Sequence, residues 1–498
     1  MTGRTVQVRI GRTVLRVERL ESREVPAAMT PAQIRQAYGF DRISYVSPTG
    51  QPIVADGSGQ TIAIVDAYDD PNVIADTDVF DQAYSVNGGS QTLYQQYGAA
   101  STFLTVHKMS ASIQASASWS GEIALDVEWA HAIAPGARIL LVEATSSSTT
   151  ALLAAVDYAR SQAGVVAVSM SWGGSEFSSE TSTSTESHFT TPAGHLGGSD
   201  GLGGAYLPGN VTFVAASGDN GAPAIWPAIS PHVLAVGGTT LTITGSGTWS
   251  SETGWSGSGG GASTYFTTKP TYQTAYAGTA RAAPDVAYDA NPSSGFRVYQ
   301  SYGVSSSQRW QTIGGTSAGS PQWAALVALA DQKRAVYGLG SLDGYGQTLP
   351  QVYRMPTSYF HDITSGNNGN AASAGYDLVT GLGSPRADLV VGWLAGIAEK
   401  AVPPLSSATT RGGKEVDDPL AQPFAVATGA TIGWVEDSSE AHTAIDVSVR
   451  ELPIPLAAWS LQVDDDASRL ADQPLDAGET VRIHDAGDWL IDAASSNT

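Results

Sequence analysis

From Gln60 onward, apolar runs of strand length alternate with helical stretches, the arrangement of a parallel α/β sheet. The runs QTIAIVDAY, ARILLVEA, GVVAVSMSW, NVTFVAASG and HVLAVGG are rich in Val and Ile and apolar throughout. Strands covered on both faces have this character. Helices are predicted over residues 123–134 and 151–162, and SPQWAALVALADQKRAVYG reads as a long buried helix. Loops rich in Gly, Ser and Thr are expected over residues 175–204 and 246–263. Loops of such length inside a compact domain are usually functional.

The pattern breaks near residue 400, where AVPPLSSATTRGGKEVDDP has linker composition. Beyond it, TAIDVSVRE and TVRIHDA alternate apolar and polar positions with period two, as strands exposed on one face do. The expected organisation is a basic leader over residues 1–28, a main domain over 29–398, a linker over 399–420 and an acidic β-rich module over 421–498. A partly disordered tail is the competing reading of the last segment.

Charge and composition narrow the partners. The 498 residues carry a formal net charge of −22, which argues against nucleic acid and anionic membranes. Residues 401–498 hold 17 Asp and Glu against 5 Lys and Arg, more than half of that net charge. Charged residues make up only 14% of the chain, so its surface approaches neutrality in mild acid. There is no cysteine, so size or a metal must do what disulfides do elsewhere. No apolar run has the length of a membrane span. The leader carries six arginines but no signal-peptide core. Within it, RLESREVPA (Arg19 to Ala27) resembles a short LExRxxP element found near the start of exported proteins, which implies an extracellular or cell-envelope address. A basic leader without an address is the alternative.

GGTSAGSPQW (Gly314 to Trp323) sets Ser317 at the head of the long helix. A serine at such a turn suits a nucleophile, and the helix N-terminus favours negative charge nearby. A triad of the usual kind then needs a histidine. None of His107, His131, His188, His195, His232, His361, His442 and His484 stands in the helix-start context that subtilisins use. His188, His195, His442 and His484 read as surface histidines. SGEIALDVEWAHAIAPGA offers another base. On a helix with Glu122 at zero, Asp126 falls at about 40°, Trp129 at about 340° and Ile133 at about 20°. Both carboxyls therefore share a face with apolar residues, while Ala124, Glu128 and His131 point the other way. Two carboxyls so placed are expected to share a proton; a solvated acidic face fits Glu128 better. In FVAASGDNGAP, Asp219 occupies the turn where subtilisins place an asparagine that donates to the oxyanion. A protonated carboxyl can donate in the same way, and a purely conformational Asp-Asn-Gly turn is the alternative.

Taken together these motifs resemble the sedolisins, the serine-carboxyl peptidases with a subtilisin-like fold. The resemblance runs from MTPAQIRQAYGF (Met29 to Phe40) to GLGSP (Gly381 to Pro385) and includes SMSWGGSE, WPAISPHVLAVGGT, GGGASTYF and PDVAYDANPSSGF. It implies an α/β fold, a subtilisin-like parallel sheet flanked by helices, with the small β-rich module appended. It also implies an endopeptidase acting on polypeptides in acid. Ser317 would be the nucleophile, Glu122 its base, Asp126 the partner sharing the proton and Asp219 the oxyanion donor. Asp66 would extend the acid network, and Trp172 matches a tryptophan near the pair. FHDITSGNN and SAGYDLVTGLGSP resemble the family's loop for one structural Ca²⁺. That implies Asp362 and Asp377 as side-chain ligands and Ile363, Ser373 and Gly375 as carbonyl ligands, a hard oxygen set suited to calcium. Ser373 stands where relatives commonly have glycine.

Most sedolisins carry a long folded propeptide, and here about 28 residues precede MTPAQIRQAYGF. Folding without a propeptide, processing, or descent from a lineage that dispensed with one would each account for this. Two rival functions remain at this stage: a neutral histidine-dependent hydrolase of subtilisin type, and a non-catalytic surface binding protein.

Overall fold

The computed structural model describes residues 28–396 and strands at 430–436, 443–449, 459–463, 481–484 and 491–495. The arginine-rich leader up to residue 27, the 399–420 linker and His442 lie outside the described residues. The chain divides into two units, Met1–Ala401 and Val402–Thr498.

The first unit is built on an eight-stranded sheet. Its strands are β1 (Thr61–Ala67), β2 (Leu104–Lys108), β3 (Arg138–Ala144), β4 (Val165–Met170), β5 (Thr212–Ala216), β6 (Val233–Ile243), β7 (Trp249–Gly254) and β8 (Val286–Asp289). The order is β8-β6-β5-β4-β1-β3-β2, all parallel, with β7 antiparallel beside β6. The main helices are α1 (Pro31–Tyr38), α2 (Val73–Ala83), α3 (Ala117–Ile133), α4 (Thr149–Ser161), α5 (Gly319–Val336) and α6 (Ala387–Ala395).

Continuous apolarity in the central strands follows from two cores. On β1, Ile62 and Ile64 pack with Ile123, Trp129 and Trp323 of α3 and α5, while Ala63, Val65 and Ala67 pack with Leu152, Ala155 and Val156 of α4. Helix α5 lies close to the sheet because it begins with glycine. A Cβ on Gly319 would stand 2.6 Å from Val236 Cγ1 and 2.9 Å from Tyr288 Cβ. The Trp323 indole then reaches the Ala287 carbonyl at 3.2 Å, and the Ser320 and Ser169 hydroxyls meet at 2.9 Å.

One strand was missed by the sequence reading, and two expectations need correction. Strand β2 carries polar Thr105, His107 and Lys108 among its apolar residues, as an edge strand does, and continuous apolarity was the wrong signal for it. The expected loop at 246–263 contains β7. Helix α3 is not amphipathic: every residue from Ile123 to Ile133 is buried, because α5, α2, the sheet and the hairpin of Phe296–Tyr299 with Trp310–Ile313 surround it. Glu128 is therefore buried and accepts from the Tyr299 amide at 3.1 Å. His131 is buried against Asp81 at 3.3 Å and stacked on Phe103.

In the second unit, Thr443–Val449 pairs antiparallel with both Ala430–Glu436 and Val481–His484. Trp459–Val463 pairs antiparallel with Ile491–Ser495. This β-rich pairing suits the period-two alternation of its sequence.

The first unit buries many acids. Asp66, Asp126, Glu128, Glu143, Asp289 and Asp331 are each at most 1% exposed. Burial pushes Asp289 up to about 7 and Glu143 and Asp331 up to about 8, and raises Asp66, Asp126 and Glu128 well above the usual range. Unfolded carboxyls titrate near about 4. Between about pH 4 and pH 8 the folded chain therefore binds more protons than the unfolded one, and stability falls as pH rises. Thermal denaturation should give its highest Tm at about pH 4 and a steady decline toward about pH 8. A Tm that climbs across that window would contradict the buried-acid account.

Candidate active site

The carboxyl ends of β1, β4 and β5 open toward the start of α5, where ligands of parallel sheets are commonly held. Asp66 is the next-to-last residue of β1, Ser171 and Trp172 follow β4, and Asp219 follows β5.

Helix α3 supplies two acids at different depths. Its first turn is partly exposed and everything beyond Glu122 is buried, so Glu122 stands at the boundary and Asp126 one turn deeper. Asp66 lies beside them on the sheet. Neither oxygen of Asp66 or Asp126, nor Oε1 of Glu122, has a hydrogen-bond partner. Carboxylates without donors cannot all be ionised in an apolar setting, so protons must be held among them. Burial pushes Glu122 up to about 7, with the Asp219 charge adding to it and the Ser317 hydroxyl, within hydrogen-bonding reach, opposing it. Asp126 is raised by burial and then by the charges of Asp66 and Glu122, with the nearby Ser171 hydroxyl opposing this. Asp66 is raised by burial and then by Glu122 and Glu143.

Ser317 is 9% exposed, in a short turn, Thr316–Ala318, that runs into α5. Two elements fix it. Gly315 adopts φ +115°, and its amide donates to the Ala290 carbonyl at 2.6 Å. A side chain there would be strained by that φ and would also crowd Asp219, since a Cβ would stand 2.6 Å from Asp219 Oδ2. Asp219 Oδ1 accepts from the Thr316 amide at 2.7 Å and the Thr316 hydroxyl at 2.9 Å. The Gly218 amide donates to that hydroxyl at 3.0 Å, so the two turns are stitched together. Asp219 is exposed at the mouth of the site, but partial desolvation of its carboxyl raises its pKa against the lowering effect of the Thr316 donors.

Trp172 braces the site from behind. Its indole donates to the Val65 carbonyl at 2.8 Å, holding the strand next to Asp66. Ser171, unmarked in the sequence reading, donates to the Ser317 carbonyl at 3.3 Å and is within reach of Asp126. Its signal in the sequence was only its position between a buried strand and Trp172.

The histidines have other partners. His188 meets Asp157 at 2.8 Å and His232 meets Glu186 at 2.7 Å. His107 stacks on Tyr158 and His361 on Trp249. His195, expected at the surface, is buried with Nε2 on the Val165 carbonyl at 2.7 Å. His484 ends a strand of the second unit. Among the described residues none of these partners is Ser317.

The calcium candidates converge on one loop pair. The Gly375 amide donates to Asp362 at 3.1 Å, and the Ser373 amide donates to Asp377 Oδ2 at 3.0 Å. Asp377 Oδ1 accepts from the Val379 and Thr380 amides, both at 2.8 Å. Ile363, next to Asp362, is buried. Among the described residues no group of three or more His, Cys, Asp or Glu side chains is placed to hold a metal. The two carboxyls brought onto this loop pair are hard oxygen donors of the kind a hard cation takes.

The chain's relatives point the same way. A model of the subtilase family matches residues 108–339. Kumamolisin of Bacillus sp. (strain MN-32) is 32% identical over 403 residues, which cover 72% of this chain and 62% of that protein. Sedolisin of Pseudomonas sp. (strain 101) is 31% identical over 348 residues, covering 60% of this chain and 55% of that protein. The chain thus spans less than two-thirds of the length of these relatives. Among solved structures, Pseudomonas sedolisin, a serine-carboxyl proteinase complexed with two molecules of pseudo-iodotyrostatin, aligns with a TM-score of 0.56 and 26% identity. That alignment covers 74% of this chain and 98% of the solved one. With a subtilisin-like sheet, acids near the serine and these relatives across most of the first unit, the chain is similar to the sedolisins.

Proposed function

We propose that this chain is a serine-carboxyl endopeptidase that hydrolyses polypeptides in acid. The observation that carries the reading is the Ser317 hydroxyl beside a half-buried Glu122 whose charge in turn acts on Asp126. No described histidine has a comparable relation to Ser317, which disfavours the neutral hydrolase.

Glu122 and Asp126 titrate as a pair, losing one proton at low pH and holding the second to higher pH. In the singly protonated pair, Glu122 accepts the hydroxyl proton as Ser317 Oγ attacks the peptide carbonyl. Asp126 keeps the other proton, with the Ser171 hydroxyl as an acceptor. The proton on Glu122 then passes to the departing amine, which leaves an ester on Ser317. Water attacks that ester with Glu122 again as base. Asp219 Oδ1 already takes two donors from Thr316, so Oδ2 is the oxygen free to carry a proton and donate it toward the oxyanion. Asp66 and Trp172 act behind the pair, Asp66 through its charge and Trp172 by fixing its strand.

A structural calcium belongs to this reading, held by Asp362 and Asp377 through carboxyl oxygens and by Ile363, Ser373 and Gly375 through carbonyls. It would supply positive charge that neutralises the two acids and braces their loops. The LExRxxP element supports an extracellular or envelope address.

Digestion of an unfolded protein substrate from pH 2 to 9 should give a bell-shaped profile centred in acid. Ser317→Ala and Glu122→Gln should each lose about 10⁴-fold or more in kcat. A plateau above pH 8 would rule out the carboxyl base, and no digestion at any pH would favour a binding protein. Asp219→Asn keeps a donor that cannot ionise, so its alkaline limb should extend upward, whereas Asp219→Ala should lose about 10²–10³-fold in kcat. An unmoved limb in Asp219→Asn would remove Asp219 from the oxyanion site. Chelation should lower Tm by about 5 °C or more, reversed by added Ca²⁺, and Asp362→Ala should abolish that response. Equal Tm values with and without chelator in the unaltered chain would dismiss the ion.

A further inference from the structure

Three neighbouring strands carry a charged residue at the same rung. Asp66 of β1 is in register with Glu143 of β3, and Glu143 with Lys108 of β2. The preceding residues on that face, Ile62 and Ile64, Ile139 and Leu141, Leu104 and Val106, pack in the core beneath α3. The rung therefore lies on the helix side of the sheet, with strands about 4.8 Å apart. Asp66 and Glu143 are fully buried, whereas the Lys108 side chain is 41% exposed and pairs with Asp69 at 2.7 Å. Glu143 Oε1 accepts from the Asp70 amide at 2.9 Å, while Glu143 Oε2 and both oxygens of Asp66 have no partner. The row runs from solvent to the acids behind Ser317.

We propose that Glu143 is a positioning residue: lying between Lys108 and Asp66, it is the first acid of this row to ionise as pH rises, and its charge then keeps the proton on Asp66 and thereby the remaining proton on the Glu122–Asp126 pair. The inference rests on the reading of that pair as the base. Of the buried acids in the row, Glu143 alone has an amide donor and a nearby cation, so a negative charge settles there before it settles on Asp66 or Asp126. Once ionised, it disfavours a second charge beside it. The groups facing it are Asp66 from β1, Lys108 from β2, Asp69 and Asp70 from the segment after β1, and Glu122 from α3 through Asp66. Burial raises Glu143, Asp69 adds to this, and the Asp70 amide and Lys108 oppose it. Glu143 touches no substrate.

The test is an infrared titration of the protonated-carboxyl band between pH 5 and 9 in the full-length Ser317→Ala chain, with Glu143→Gln or Lys108→Met added. Glu143→Gln should delete one component and lower the midpoint of the last to titrate by about 1 pH unit. Lys108→Met, at the exposed end, should raise the midpoints instead. A loss of packing would not move the band in opposite directions. Unmoved midpoints, or shifts of the same sign, overturn the proposal; if Glu143→Gln does not fold, Lys108→Met alone decides on the same terms. The peptidase reading is judged separately by pairing this titration with kcat/KM profiles in an Asp219→Asn background, where the alkaline limb reports the acids behind Ser317. Shifts in the band without any hydrolysis leave the acid row standing and remove the peptidase. Acid hydrolysis with an unmoved band removes only the role of Glu143.

Discussion

The cost of placing several carboxyls side by side in an apolar interior governs this molecule. Asp66, Asp126 and Glu122 sit together where helix α3 crosses the ends of the strands, and most of their oxygens have no donor. Such groups hold protons that isolated carboxyls would release. On the proposed reading, that retained proton lets a glutamate replace histidine as the base. On the same reading, the raised pKa of Asp219 would let a protonated aspartate serve as oxyanion donor.

The scaffold serves this arrangement by rigid means. Ser317 is fixed by a backbone turn that only glycine adopts readily at residue 315, and Thr316 locks that turn to Asp219. Trp172 secures the strand bearing Asp66. Beyond Glu122, helix α3 is enclosed on all sides, which denies Asp126 and Glu128 the water that would otherwise ionise them. Precise placement of reacting groups on such elements is what efficient catalysis requires.

Much of the site was legible along the chain because each piece has a local signature. Ser317 lies in a turn-to-helix motif, Asp219 in a turn where an asparagine was expected, and Glu122 and Asp126 one helical turn apart. Glu128 and His195 were misjudged because helical angle and loop composition are local, while their burial depends on distant segments: the strand at Phe296–Tyr299 for Glu128 and β4 for His195. Glu143 drew no notice, since an acid ending an apolar strand looks like a strand leaving the core. Its importance emerges only when β1 and β2 are laid beside it in register.

The sequence by itself determined the α/β class, the strands buried on both faces, the turn that presents Ser317 and the spacing of the acid pair, all properties of short-range periodicity and residue type. Tertiary structure decided which acids lose contact with water, which share protons and which reach the surface. Those outcomes depend on strand order and register between residues far apart in the chain, and the free energy of a carboxylate depends on everything packed around it.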